Sequence, residues 1–260
     1  MIKLGIVGDI HCGPDTTSIL GSCAPVLLET FIAAMREFQP DCIVDLGDRI
    51  NDVAHGQDRQ RSTWVRQQLL AAGVPVFHVL GNHDVINLTK DELGSVLGKR
   101  GSYESLDIDG ARLIVLDSQD PSFEHTGGAI GPEQRRWLEK ALGEAPHPAL
   151  VFCHHPLDEQ SLDGHWYFAD HPAHAFVQER GPVRTLLERS GSVCAVFSGH
   201  LHWTRATALN GIPYVTLGSL VDGGFTNGRP CGAFATVTVQ GKSIEVRVAG
   251  LLPDQFRLTR

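Results

Sequence analysis

The sequence has no apolar run approaching the ~18 residues that a membrane-crossing helix needs, so no membrane partner is expected. Its opening, MIKLGIVGDIH, has neither the basic start nor the small-residue cleavage site of a secretory signal. The expected location is the cytoplasm. None of the six cysteines (Cys12, Cys23, Cys42, Cys153, Cys194, Cys231) form a C-x-x-C pair, which argues against a zinc ribbon or a disulfide framework and leaves buried thiols. A lysine/arginine stripe is also missing, and the net charge is -8. A polyanion bound by counterion release needs the opposite, so nucleic acid is not an expected partner. Internal repeats and low-complexity linkers are absent, and residues 1–260 read as a single domain.

What the sequence has in quantity is histidine, 13 in all, and its placement follows the secondary structure. An apolar β-branched run at 2–8 ends at Gly8-Asp9; a helical period over 24–38 stops before Pro40; a second strand reads CIVDLGD. Helical segments near 58–72, from Pro132, and at 182–190 each precede a strand: VPVFHVLGNHD, ALVFCHHP and SVCAVFSGH. This alternation builds a largely parallel sheet with helices outside. A hairpin is expected at 102–108 and 111–116 around Asp109-Gly110, and an antiparallel meander over 204–208, 212–217, 232–239 and 243–249. Together these halves predict an α/β protein with two packed sheets.

After each strand of the parallel half, the first loop residues are metal-ligand types: Asp9-Ile10-His11, Gly47-Asp48, Gly81-Asn82-His83-Asp84, His154-His155-Pro156 and Gly199-His200-Leu201-His202. One such piece is weak, since a histidine at a strand end is commonly structural. Five at successive strand ends are not, because ligands bind beyond the carboxyl ends of parallel strands, where these loops converge. Imidazole and carboxylate suit first-row divalent metals, and two cations about 3.5–4 Å apart need a bridging anionic oxygen, which an Asp provides.

The set GDIH, GDR, GNHD, HHP and GHLH, spanning residues 8–202, resembles the calcineurin-like metallophosphoesterase superfamily. The resemblance implies a four-layer α/β/β/α sandwich with two mixed β-sheets. It implies that Asp9, His11, Asp48 and His202 bind one metal and that Asp48, Asn82, His154 and His200 bind the other. The ions would be two divalent cations, with Mn, Fe or Zn all compatible. His83 would face the substrate phosphate as a catalytic residue, oriented by the adjacent Asp84, while water acidified by the metals attacks phosphorus.

Around this centre, Arg49 is a candidate for a phosphate oxygen, with a salt-bridge role the alternative. His165, Trp166 and Tyr167, on the long segment 157–172, are candidates for stacking on a base or lining a leaving-group pocket. Ser118–Gly131 is a second candidate rim; His125 in it reads as silent, and His78 reads as a core histidine. The motifs resemble bacterial class III phosphodiesterases, and GGAIGPEQRRWLEKAL and GIPYVTLGSLVDG resemble the ADP-ribose/CDP-alcohol diphosphatases. The expected activity is a metal-dependent hydrolase of a small phosphodiester or nucleotide-like ester. Alternatives are a phosphomonoesterase or nuclease of the same superfamily, or a non-catalytic scaffold on the same fold. The C-terminal strand edges leave room for a homo-oligomer.

Overall fold

The computed structural model describes residues 1–108, 110–121, 127–145 and 148–259. Two six-stranded mixed sheets pack face to face. In the first, β1 (Ile2–Val7) is flanked on one side by β2 (Cys42–Asp45) and β3 (Val76–His78), all parallel. On its other side lie the antiparallel strands β12 (Phe234–Gln240), β13 (Ser243–Ala249) and β14 (Asp254–Thr259). The second sheet has at its centre the parallel set β5 (Ala111–Val115), β8 (Ala149–Phe152) and β9 (Val193–Ser198). Next to β9 runs β11 (Ile212–Thr216), parallel to it. The edges are antiparallel: β4 (Glu104–Ile108) beside β5 and β10 (Arg205–Leu209) beside β11. Two short strands, β6 (Gln119–Asp120) and β7 (Ala129–Ile130), form a separate ladder.

The two-residue period of a strand assigns each apolar side chain to a layer. Leu4, Ile6 and Val44 of the first sheet and Leu113, Val115, Phe152 and Phe197 of the second share the core between the sheets. The phenyl rings of Phe152 and Phe197 stack there at 5.6 Å. The intervening residues face outward onto helices. Ile43 meets Leu28, Phe31 and Met35 of α1 (Ala24–Phe38) and Val65 and Leu69 of α2 (His55–Leu70). Ile114, Val151 and Val196 meet Leu138 and Leu142 of α4 (Pro132–Gly143) and Val183 and Leu187 of α5 (Arg180–Ser190). The result is the expected α/β/β/α order. Because β2, β8 and β9 are buried along their whole length, they read as near-continuous apolar runs.

Three features differ from the sequence reading. A further helix, α3 (Lys90–Leu97), follows the GNHD loop, held by a capping box between Thr89 and Glu92. The C-terminal strands do not form one meander. β10 and β11 complete the second sheet, while β12 to β14 complete the first. The last strand, β14, was not anticipated. Asp109 of the hairpin and His125 of the second rim lie outside the described residues. Among the described residues, no helix is long and apolar enough to cross a membrane.

Candidate metal centre

The loops that leave β1, β2, β3, β8 and β9 meet at one end of the two sheets. Their turns are tight, and glycine makes them possible. A Cβ on Gly81 would lie 2.1 Å from Asp48 Oδ1, and one on Gly199 would lie 2.5 Å from Asp9 Oδ2. These two glycines therefore give a carboxylate from another loop room to enter. Backbone donors then grip that carboxylate: the His83 N–H donates to Asp48 Oδ1 at 2.8 Å, and the His200 N–H donates to both Asp9 oxygens at 3.0 and 3.1 Å.

Nine non-glycine residues among those described have positive φ, and five of them are Asp9, His11, Asp48, His200 and His202. Such backbone is strained, persists only where its surroundings over-determine it, and concentrates at ligand sites.

The donor atoms form overlapping clusters. Within each, the atoms lie inside 4.8 Å of one another: Asp9, His11 and His202; Asp9, Asp48 and His154; His11, Asp48 and His83; and His154, His155 and His200. His202 Nε2 is 3.4 Å from Asp9 Oδ1 and 3.1 Å from His11 Nε2. His154 Nε2 is 3.3 Å from Asp48 Oδ2 and 3.2 Å from Asn82 Oδ1. His11 Nε2 is 3.7 Å from Asp48 Oδ2. The seven residues expected as ligands are thus brought together, Asp48 between the two groups. His83 and His155, which the sequence reading left off the metals, also contribute to clusters.

The histidines' other nitrogens decide which way the lone pairs point. His154 Nδ1 donates to Leu46 O at 2.9 Å, His202 Nδ1 to Asp222 Oδ2 at 2.5 Å, and His200 Nε2 to His174 O at 2.9 Å. In the neutral rings this turns His154 Nε2 and His202 Nε2 as acceptors toward other acceptors, an arrangement that a positive charge between them stabilises. Burial favours the neutral form of His154, yet Asp48 outweighs it and lifts the pKa to about 9. Burial acts likewise on His202, and Asp222 and Asp9 lift it to about 10. At His11 and His200 burial wins, and both are held well below the usual imidazole range. A negative field that attracts a proton at two rings, beside two rings kept neutral as ligands, suits divalent cations. His11 Nδ1 is buried without a hydrogen-bond partner. This chemistry is the fit of the donor set to the implied metals.

Two expectations require correction. Arg49 cannot reach a substrate: it is fully buried, its Nη1 paired with Asp45 Oδ2 at 2.6 Å and its Nη2 with Asp84 Oδ2 at 3.0 Å. Asp84 does not orient the His83 ring. Its carboxylate instead accepts from the Asp48, Arg49 and Gly81 N–H groups at 2.9–3.1 Å, tying the β2 loop to the β3 loop. Burial raises its pKa to about 6, with Arg49 opposing. The ring partner of His83 is Asp52, whose Oδ1 meets His83 Nδ1. Burial lowers the His83 pKa, and Asp48 and Asp52 more than offset it, so the net direction is up.

A cavity of about 190 Å³ opens at the donors, lined by Asp48, Asn82, His83, His200 and His202 and also by His165, Trp166 and Tyr167. His165 is a buried prop. Its Nε2 donates to Leu201 O, and its Nδ1 accepts from the Tyr167 and Phe168 N–H groups. His78 is a core residue, bonded to Asp45 at 2.9 Å. The sequence gives no sign of the roles of Asp222 and Asp52: Asp222 sits 20 residues beyond the histidine it bonds, and Asp52 lies 31 residues before His83.

The family model described as calcineurin-like phosphoesterase matches residues 2–204. A cAMP/cGMP dual specificity phosphodiesterase of Mycobacterium tuberculosis is 30% identical over 67% of this chain and 52% of its own. A manganese-dependent ADP-ribose/CDP-alcohol diphosphatase of Danio rerio is 24% identical over 75% of this chain and 78% of its own. The chain spans about half the length of the curated phosphodiesterases it matches. In fold it is similar to a dimetal phosphatase from Danio rerio, with a TM-score of 0.79 and 18% identity, covering 99% of this chain and 98% of the other.

Proposed function

Since the chain belongs to the calcineurin-like phosphoesterase family, we propose that it is a single-domain hydrolase of a small phosphodiester or nucleotide-like phosphate ester. The observation that carries this reading is the convergence of carboxylate, amide and imidazole donors from five loops beneath one cavity. Asp9, His11, Asp48 and His202 would hold one divalent cation, and Asp48, Asn82, His154 and His200 the other, with Asp48 shared. Such cations, when bound, polarise phosphoryl oxygens and acidify water.

The chain's own groups do the rest. Asp222, Leu46 O and His174 O fix the ring orientations of His202, His154 and His200, which is how partners behind a ligand hold its tautomer. His83, its Nδ1 taken by Asp52, has Nε2 left for the cavity. It is suited to hold a phosphoryl oxygen and to return a proton to the departing alkoxide. No disulfide joins the cysteines among the described residues, in keeping with the proposal that the protein resides in the cytoplasm.

A test is a panel of monoesters, cyclic nucleotides, glycerophosphodiesters and nucleotide diphosphates assayed with Mn. The Asp48→Asn variant should lose turnover on every substrate. The His83→Ala variant should keep its manganese and lose about 10²–10⁴ in turnover. Unimpaired turnover in either variant removes that residue from the reaction, and wild-type protein that binds no manganese favours the scaffold reading.

A further inference from the structure

Trp166 is at odds with the other three tryptophans in being 54% exposed, among the most exposed large apolar side chains. Its exposure is not slack. A Cβ on Gly224 would lie 2.6 Å from the indole Nε1 and 3.1 Å from its Cδ1. The edge of the five-membered ring therefore rests against backbone. That backbone is itself anchored: the Gly224 N–H donates to Asp222, the residue that also holds His202. Beneath the indole, His165 is locked by three backbone hydrogen bonds at 2.8–3.1 Å. Tyr167 is the more committed ring: it stacks on His171 at 4.5 Å with planes 9° apart, whereas the indole's own ring neighbours, His165 and Tyr167, lie farther off at 6.1 and 5.8 Å. Trp166 thus presents an exposed, braced indole to the cavity that Asp48, Asn82, His83, His200 and His202 also line.

We propose that Trp166 is a stacking platform for a planar ring in the alcohol portion of the substrate, so that the favoured esters are those of a nucleoside or similar aryl-bearing alcohol. This assignment rests on the hydrolase reading above. A planar ring sitting on an indole gains dispersion and sheds water from two faces, and it does so regardless of which base it is. Because the indole is braced before the ligand arrives, little freedom is lost on binding. The cavity, at about 190 Å³, is below the range typical of drug-sized pockets. That size favours a compact ester over an oligonucleotide, in keeping with a sequence that has no lysine/arginine stripe.

The experiment compares wild type, Trp166→Ala and Trp166→Phe, each with manganese. Its first readout is the ratio of kcat/KM for a nucleoside phosphodiester to that for glycerophosphocholine, an ester without a ring. Its second is calorimetric binding of AMP against inorganic phosphate. Trp166→Ala should lower the ratio by about tenfold or more, through KM, and weaken AMP relative to phosphate by a similar factor. Trp166→Phe should restore most of both. An unchanged ratio, or an equal loss on both esters with no recovery in the Phe variant, overturns the platform. Wild-type protein that hydrolyses no ester yet binds AMP through Trp166 would defeat the hydrolase reading and keep the platform, so the two failures are distinct.

Discussion

Replacing Arg49 by Met removes the one cation shared by two buried acids. In the folded chain, the guanidinium is wholly out of water, bonded to Asp45 at 2.6 Å, to Asp84 at 3.0 Å and to Val79 O at 2.9 and 3.1 Å. Methionine fills much of the volume but leaves both carboxylates without their counter-charge. Removing one partner of a buried ion pair costs about 3–5 kcal/mol. The remaining donors keep the loss within that range, since Asp45 retains His78 and Asp84 retains three backbone N–H groups. At about 2–4 °C per kcal/mol for a domain approaching this size, the melting temperature should fall by roughly 6–20 °C. Urea and thermal denaturation at pH 7 measure it. Adding Asp84→Asn removes one stranded charge, so the double variant should be more stable than the sum of the single losses predicts. A loss below about 1 kcal/mol, or strictly additive losses, would show that water reaches the two acids and that the ion pair is not what holds these loops together.

Three further outcomes follow from the geometry. Asp222→Asn weakens the acceptor that fixes the His202 ring and should reduce manganese affinity about 10–100-fold, read by chelator competition; unchanged affinity would count against its orienting role. Gly199→Ala places a methyl group 2.5 Å from Asp9 Oδ2, so bound manganese should fall below two equivalents with the circular dichroism spectrum intact, and retention of both ions would contradict it. Glu92 is held at a pKa of about 2 by the Thr89 N–H, the His55 ring and the Thr89 hydroxyl. Being lowered, it contributes stability above its ordinary 4.5 that is lost as pH falls toward 2. His55→Ala should raise the midpoint seen by NMR, and an unmoved midpoint would exclude the ring as a partner.

The elements legible in the sequence were those whose signal is local. Helix α1 could be bounded because its helical period stops before Pro40, and the structure ends it at Phe38 with Gln39 in left-handed backbone. The metal motifs could be placed because each follows a strand directly. Helix α3 escaped because eight residues show little period, although Thr89 and Glu92 carried its capping box. The split of the C-terminal strands between sheets was not readable, since the choice depends on which edge remains open after the parallel strands assemble. Asp222, Asp52 and the burial of Arg49 are tertiary facts. Nothing within a few residues of Arg49 says that Val79 O and Asp84 will close around it.

The left-handed residues at the donor cluster set stability and chemistry against each other. Asp9, His11, Asp48, His200 and His202 each hold a backbone shape natural to glycine, at a cost of roughly 1–3 kcal/mol apiece. Exchange of one of them for glycine would relax the turn and delete a donor in the same step. Laboratory evolution that rewards heat tolerance alone would therefore erode this centre first, returning a sturdier and inert protein.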